Sequence, residues 1–334
     1  MIETQKTEPL ISSSDTDTSN SFVVGQTESG KRLDAYLAER IDGWSRSRLQ
    51  RLIENEDVLV NETSVKPSHK LRGGDEIEVD LIELPVTGFE PEDIALDIVY
   101  EDEFLAVINK PAGMVVHPGA GVQSGTLANA IAFHFMSEPG AVATGSVGNT
   151  SNRIGIVHRL DKDTSGLIVV AKNDEIHEAL SEQFRERQVY KSYIALIHGA
   201  PDRDLGTVDA PIGRNKHNRL RMKVASHGRT AISLWKVRKR YSKFTLLDVE
   251  IKTGRTHQIR VHMGYINHPV VGDEIYNEGR DNTVADHTAR NGIASMNRFF
   301  LHAERLSFNH PVTKERMEFT QELPAELNQF LDLL

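Results

Sequence analysis

The chain has 334 residues, a formal net charge of −9 and no cysteine. That length fits a sizeable core with a smaller attached module. The absence of thiols excludes a disulfide framework, a cysteine nucleophile and a thiolate zinc site. No run approaches the ~18 consecutive apolar residues of a membrane helix. The acidic N-terminus lacks the apolar core of a secretory signal. A cytoplasmic protein with no membrane association is the expectation.

In chain order, residues 1–20 are rich in Ser, Thr and Asp and lack hydrophobic periodicity, which predicts a disordered acidic tail. Residues 21–84 read as a small α/β module. Leu33, Tyr36, Leu37 and Ile41 recur at helical spacing. Ser45 is a candidate N-cap for a second helix, with Leu49, Leu52 and Ile53 on its buried face. Residues 58–60 and the segment around Ile77 and Val79 read as strands. Arg46, Arg48 and Arg51 stand near the start of the second helix, where phosphates bind readily. Two prolines and Gly88 mark 85–91 as a linker.

Residues 92–334 mix strands and helices. Segments 98–100 and 104–108 flank an acidic turn as a hairpin. Helices are predicted over 126–135 and 174–186, a surface loop over 139–152, and strands over 167–171, 189–197, 230–237 and 244–251. Strict βαβ alternation is absent, so the fold class is α+β with a mixed, mainly antiparallel sheet. Charge is unevenly spread. Residues 184–260 hold 18 Lys and Arg against 6 Asp and Glu. Such a stretch reads either as a phosphate-facing surface or as a solvated sheet face.

The most specific segment is 155–167, G-I-V-H-R-L-D-K-D-T-S-G-L. It is a polar loop between apolar flanks. Asp161 follows His158 and Arg159, and neighbouring cations favour an ionised carboxylate. That suits a nucleophile or a proton acceptor; a turn-capping Asp is the alternative. No His-Glu-x-x-His or cysteine pattern accompanies it, so neither a metal nor a cofactor is expected.

This segment resembles the signature of the RluA/RluD-type RNA pseudouridine synthase family. Further segments resemble the same family: N-K-P-A-G-M-V-V-H-P at 109–118, V-Y-K-S-Y at 189–193, G-R-T-H-Q-I-R at 254–260, and L-H-A through H-P at 301–311. Residues 21–84 resemble the small RNA-binding module named from a ribosomal small-subunit protein. The resemblance implies uridine-to-pseudouridine isomerisation in structured RNA, with large-subunit ribosomal RNA as the leading substrate and transfer RNA as the alternative. A catalytically silent RNA-binding factor is the reading from another class. The resemblance also assigns roles. Asp161 takes the essential position, Tyr193 stacks on the base and is a candidate aid to proton removal, and Arg255 pairs with Asp161. Arg159 enters the space of the flipped base. His158, Lys191, Arg46, Arg48 and Arg51 complete the expected RNA contacts. RNA is the expected partner, no protein partner is inferred, and a monomer is the default.

Overall fold

The computed structural model describes residues 19–41, 44, 46–54, 56–80, 90–118, 122–137, 155–215, 221–226 and 228–334. Most of the expected tail, most of the linker, the 139–152 loop and the Ser45 cap lie outside the described residues.

The N-terminal module consists of β1 (Ser19–Val23), α1 (Leu33–Ala38), α2 (Arg46–Glu54), β2 (Val58–Val60), β3 (Thr63–Ser64) and β4 (Glu76–Asp80). Strand β1 begins inside the stretch expected to be tail. The sheet order is β1-β4-β2-β3, with every pair antiparallel. Ile77 and Val79 are two apart on β4, so both point into the core with Leu33, Leu37, Leu49 and Ile53.

The larger unit runs β5 (Ile98–Glu101), β6 (Leu105–Lys110), α3 (Leu127–Ser137), β7 (Gly155–Ile156), β8 (Ser165–Ala171), α4 (Asp174–Arg185), β9 (Tyr190–His198) and β10 (Leu205–Asp209). It continues with β11 (Ile212–Arg214), β12 (Met222–Val224), β13 (Ile232–Arg240), β14 (Phe244–Ile251), α5 (Gln258–Tyr265), α6 (His287–Met296), β15 (Leu301–Asn309), β16 (Arg316–Thr320) and α7 (Ala325–Asp332). Helix α4 starts where Asn173 accepts the Ile176 amide and acidic residues fill the first turn, and Arg185 sits in the last.

Among the described residues ten strands form one sheet, along the path β10-β13-β14-β9-β15-β8-β6-β5 with β16 and β7 at its sides. All its pairs are antiparallel except β8 with β15. Strand β8 is buried throughout because both sheet faces are covered. Ile168 and Val170 enter one core with Ile108, Tyr193 and Val249; Leu167 and Val169 enter another with Val107, Leu180 and Phe308. Each such aliphatic side chain stabilises the fold by about 1.5–3 kcal/mol. At the parallel seam Gly166 opposes Ala303 with φ +113°, and a methyl group there would run into the Ala303 backbone. The glycine closing D-T-S-G is therefore demanded by the sheet.

The module rests against this unit through charge. Arg229 donates to the Asp80 carboxylate at 2.7 Å and to the Asp57 carbonyl at 2.7 Å. Arg255 donates to the Asp57 carboxylate at 2.7 Å, and the Thr230 hydroxyl donates to Glu56 at 3.2 Å.

Candidate active site

The loop carrying Asp161 is fixed from three sides. Leu160 is buried in the core that holds Tyr193, and the Thr164 amide closes a turn on the Asp161 carbonyl at 3.1 Å. Lys110, at the end of β6 and fully buried, donates to the carbonyls of Pro111, Met114 and Lys162 at 2.7, 2.9 and 2.9 Å. Three carbonyls for three ammonium hydrogens rivet the 109–118 motif to the Asp161 loop. Burial, with Arg298 beside it, pushes this ammonium down to about 7, against the opposing charges of Asp163 and Asp161. At the seam, Ser165 Oγ meets His302 Nδ1 at 2.9 Å and accepts from Arg298 at 2.9 Å.

Arg260 Nη1 donates to Asp161 Oδ2 at 3.1 Å. This corrects the expected pairing with Arg255. The G-R-T-H-Q-I-R segment is tied back by Gln258, whose Oε1 accepts from Thr253 Oγ1 and the Arg255 amide while its Nε2 donates to the Ile232 carbonyl and Ser233 Oγ. His257 then takes a left-handed conformation, φ 54°, and α5 starts. Arg255, ahead of that turn, reaches the Thr230 carbonyl and Asp57. Arg260, within α5, reaches Asp161. A lone Arg in the apolar run Ile259-Arg260-Val261 signals a buried cation that needs carboxylates. Asp273 supplies the second, and it too escaped the sequence reading, as did the role of Lys110.

Burial pushes the Asp161 carboxyl upward, but His257, Arg260 and Arg159 outweigh it and hold the group below the ordinary carboxylate value. It is ionised at neutral pH. Burial and the Asp161 charge both push the Tyr193 phenol up. Tyr193 is therefore a neutral ring beside the carboxylate, suited to stacking and to donating a hydrogen bond. A phenolate base is disfavoured there. Tyr190, on the same strand, is half-buried, whereas Tyr193 is buried.

His158, expected among the RNA contacts, is buried. Its ring stacks on Phe184 at 4.7 Å and accepts the Val169 amide through Nε2 at 3.0 Å. The ring proton is thereby assigned to Nδ1. Its neighbour Lys191 is half-buried with Nζ 5.3 Å from the Phe184 ring, and burial with Arg255 pushes it down to about 8. Arg159 is half-buried, and its charge reaches both Asp161 and Asp80. Arg46 is half-exposed and gripped through Nε and Nη2 by the buried Asp34 at 3.1 and 3.2 Å. The side chains of Arg48 and Arg51 lie outside the described residues. Much of the basic stretch is neutralised in place. Arg238 pairs with Asp248 and Glu304, Arg240 with Asp204, and Arg229 with Asp80. This part of the stretch is a solvated or interface surface rather than a bare phosphate track.

Two buried rings set an acid limit to stability. Burial and Lys191 push His158 down to about 3; burial and Arg260 push His257 down to about 4. Unfolded, each takes a proton near 6.5, so below that value the unfolded chain binds more protons and the fold loses stability as pH falls. The loss is about 1.4 kcal/mol per pH unit for each ring. Urea midpoints should drop steeply between pH 6.5 and 4.5, and less steeply in His158→Phe. Identical slopes would mean that the folded protein already carries the His158 charge.

A family model described as RNA pseudouridylate synthase matches residues 104–265, and one described as S4 domain matches residues 31–77. The chain is 40% identical over 337 residues to ribosomal large subunit pseudouridine synthase D of Xanthomonas campestris, covering 99% of this chain and 95% of that protein. It is also 40% identical over 313 residues to an RNA pseudouridine synthase of Bacillus subtilis, covering 94% and 97%. Among solved structures it resembles human RNA pseudouridylate synthase domain containing 1, with TM-score 0.54, 25% identity, and coverage of 73% of this chain and 90% of that one. Kinship over nearly the whole length, in a mainly antiparallel α+β fold with an S4 domain ahead of it, means that the chain belongs to the RNA pseudouridine synthase family.

Proposed function

We propose that this chain isomerises specific uridines of large-subunit ribosomal RNA to pseudouridine, with Asp161 as the reacting carboxylate. The observation that carries the reading is the ionised, half-buried Asp161 held at Oδ2 by Arg260, with the neutral ring of Tyr193 in reach of its charge. The naming of the Xanthomonas relative supports the choice of RNA. The S4 module (21–84) holds the substrate RNA, the unit over 92–334 performs the reaction, and the protein works as a cytoplasmic monomer.

The chemistry is redox-neutral. The bond from ribose C1′ to uracil N1 breaks, the base turns, and a bond from C1′ to C5 forms. C5 loses its proton and N1 gains one. A carboxylate oxygen opposite the one bound by Arg260 has three openings: addition to the sugar, addition to the ring, or removal of the C2′ proton. The nucleotide must first leave its stack, which costs a few kcal/mol. Stacking on Tyr193 and insertion of Arg159 offset that cost.

The test is release of tritium from large-subunit ribosomal RNA labelled at uridine C5, with labelled transfer RNA in parallel. Release from the ribosomal transcript is expected. Release from transfer RNA alone would move the substrate. Tight binding of both RNAs with release from neither would leave an RNA-binding factor. Comparing pseudouridine maps of cells with and without the gene identifies the uridines.

A further inference from the structure

Arg260 is held at three of its guanidinium nitrogens. Its Nε and Nη2 donate to Asp273 Oδ2 and Oδ1 at 2.7 and 3.0 Å, and its Nη1 donates to Asp161. The Phe299 ring lies 4.2 Å from the guanidinium carbon and the Tyr276 ring 5.2 Å. Asp273 itself has no freedom. It is fully buried, and its Oδ1 also accepts the amides of Ile275 and Tyr276 at 3.1 and 3.2 Å. The backbone just before it is stitched into the sheet, with the Val271 amide on the Leu196 carbonyl and the Phe300 amide on the Val271 carbonyl. Gly272, at φ +78°, passes so close to the Arg298 carbonyl that no side chain fits.

We propose that Asp273 is a positioning residue for the reaction, orienting Arg260 and through it the carboxylate of Asp161. A planar guanidinium gripped at two points by a rigid carboxylate leaves its third edge in one place. The Asp161 carboxylate bonds to that edge, so its plane follows Asp273. Asp273 also offsets part of the Arg260 charge, so Asp161 stays ionised without being fully neutralised by its partner. The proposal rests on Asp161 being the reacting group. The charged and titratable groups facing Asp161 are His257, Arg260, Arg159, Lys110, Tyr193 and Tyr276.

The experiment is single-turnover tritium release across pH for the wild-type protein, Asp273→Asn and Asp273→Glu, with KM measured for each and thermal melting as the check on folding. Asp273→Asn keeps an oxygen for the two amides but loses the charge and one arm of the grip. We expect its maximal rate to fall ~100-fold, with KM within about threefold of wild type and the acid limb moved to lower pH because Arg260 turns wholly to Asp161. Asp273→Glu restores the charge at a displaced position; it recovers about tenfold over Asn and leaves the acid limb unmoved. A folded Asp273→Asn within threefold of the wild-type rate would overturn the proposal, as would an unmoved acid limb with KM rising by as much as the rate falls. If Asp273→Asn does not fold, Asp273→Glu decides. A tenfold loss in rate at constant KM supports positioning, and wild-type turnover refutes it. A wild-type protein that releases no tritium would fail the functional reading instead.

Discussion

Asp161→Asn is expected to lower tritium release from labelled RNA by at least ~10³-fold, the scale seen when a group acting at the reacting centre is removed. The fold should hardly notice. Arg260 keeps its two-point bond to the fully buried Asp273, so losing the Asp161 charge strands no buried cation. RNA affinity should stay within a few-fold, since a neutral amide of the same shape removes no phosphate contact. Melting temperature, RNA affinity and single-turnover rate separate these outcomes. A variant retaining a tenth of the wild-type rate would remove Asp161 from the chemistry.

Arg260→Gln should damage both stability and reaction. Asp273, fully buried, and Asp161, half-buried, would be left without the cation between them, and breaking such an arrangement costs about 3–5 kcal/mol. The Asp161 carboxyl would rise as its guanidinium vanished, so the acid limb of activity would move to higher pH. Arg255→Gln is the control. Arg255 bonds Asp57 of the module, so its loss should alter how the module sits and how RNA binds while leaving the acid limb in place. If instead Arg255→Gln moved the acid limb and Arg260→Gln did not, the pairing expected from the motif would be right and the geometry described above wrong.

The sequence made the elements of the larger unit legible because their apolar periods are clean. The run at 167–171 and the alternations at 189–197 and 244–251 became β8, β9 and β14 with ends shifted by a residue or two. Asp161 and Tyr193 could be read from local strings, and the Asp161 charge bears on the Tyr193 phenol. What stayed hidden depends on which way a chain turns. Arg255 and Arg260 sit five apart in one motif, and the left-handed residue at His257 decides which of them faces Asp161. No local pattern announces a positive φ at a histidine. The burial of His158 was not legible because a loop residue before a candidate reactive Asp suggests exposure, whereas its ring is covered by Phe184 and the β8 backbone. The pairing of basic residues was equally out of reach, since Glu304 and Asp80 come from opposite ends of the chain.

The side-by-side alignment of Ser165–Gly166 with His302–Ala303 carries a consequence for biosynthesis. Partners separated by 137 residues bracket the segment immediately after Asp161. Long-range pairing of this kind forms late and slowly. The seam therefore cannot close before residues 301–303 have been made, and a chain cut short before Leu301 would lack both the neighbouring strand and the imidazole that pin the segment after Asp161.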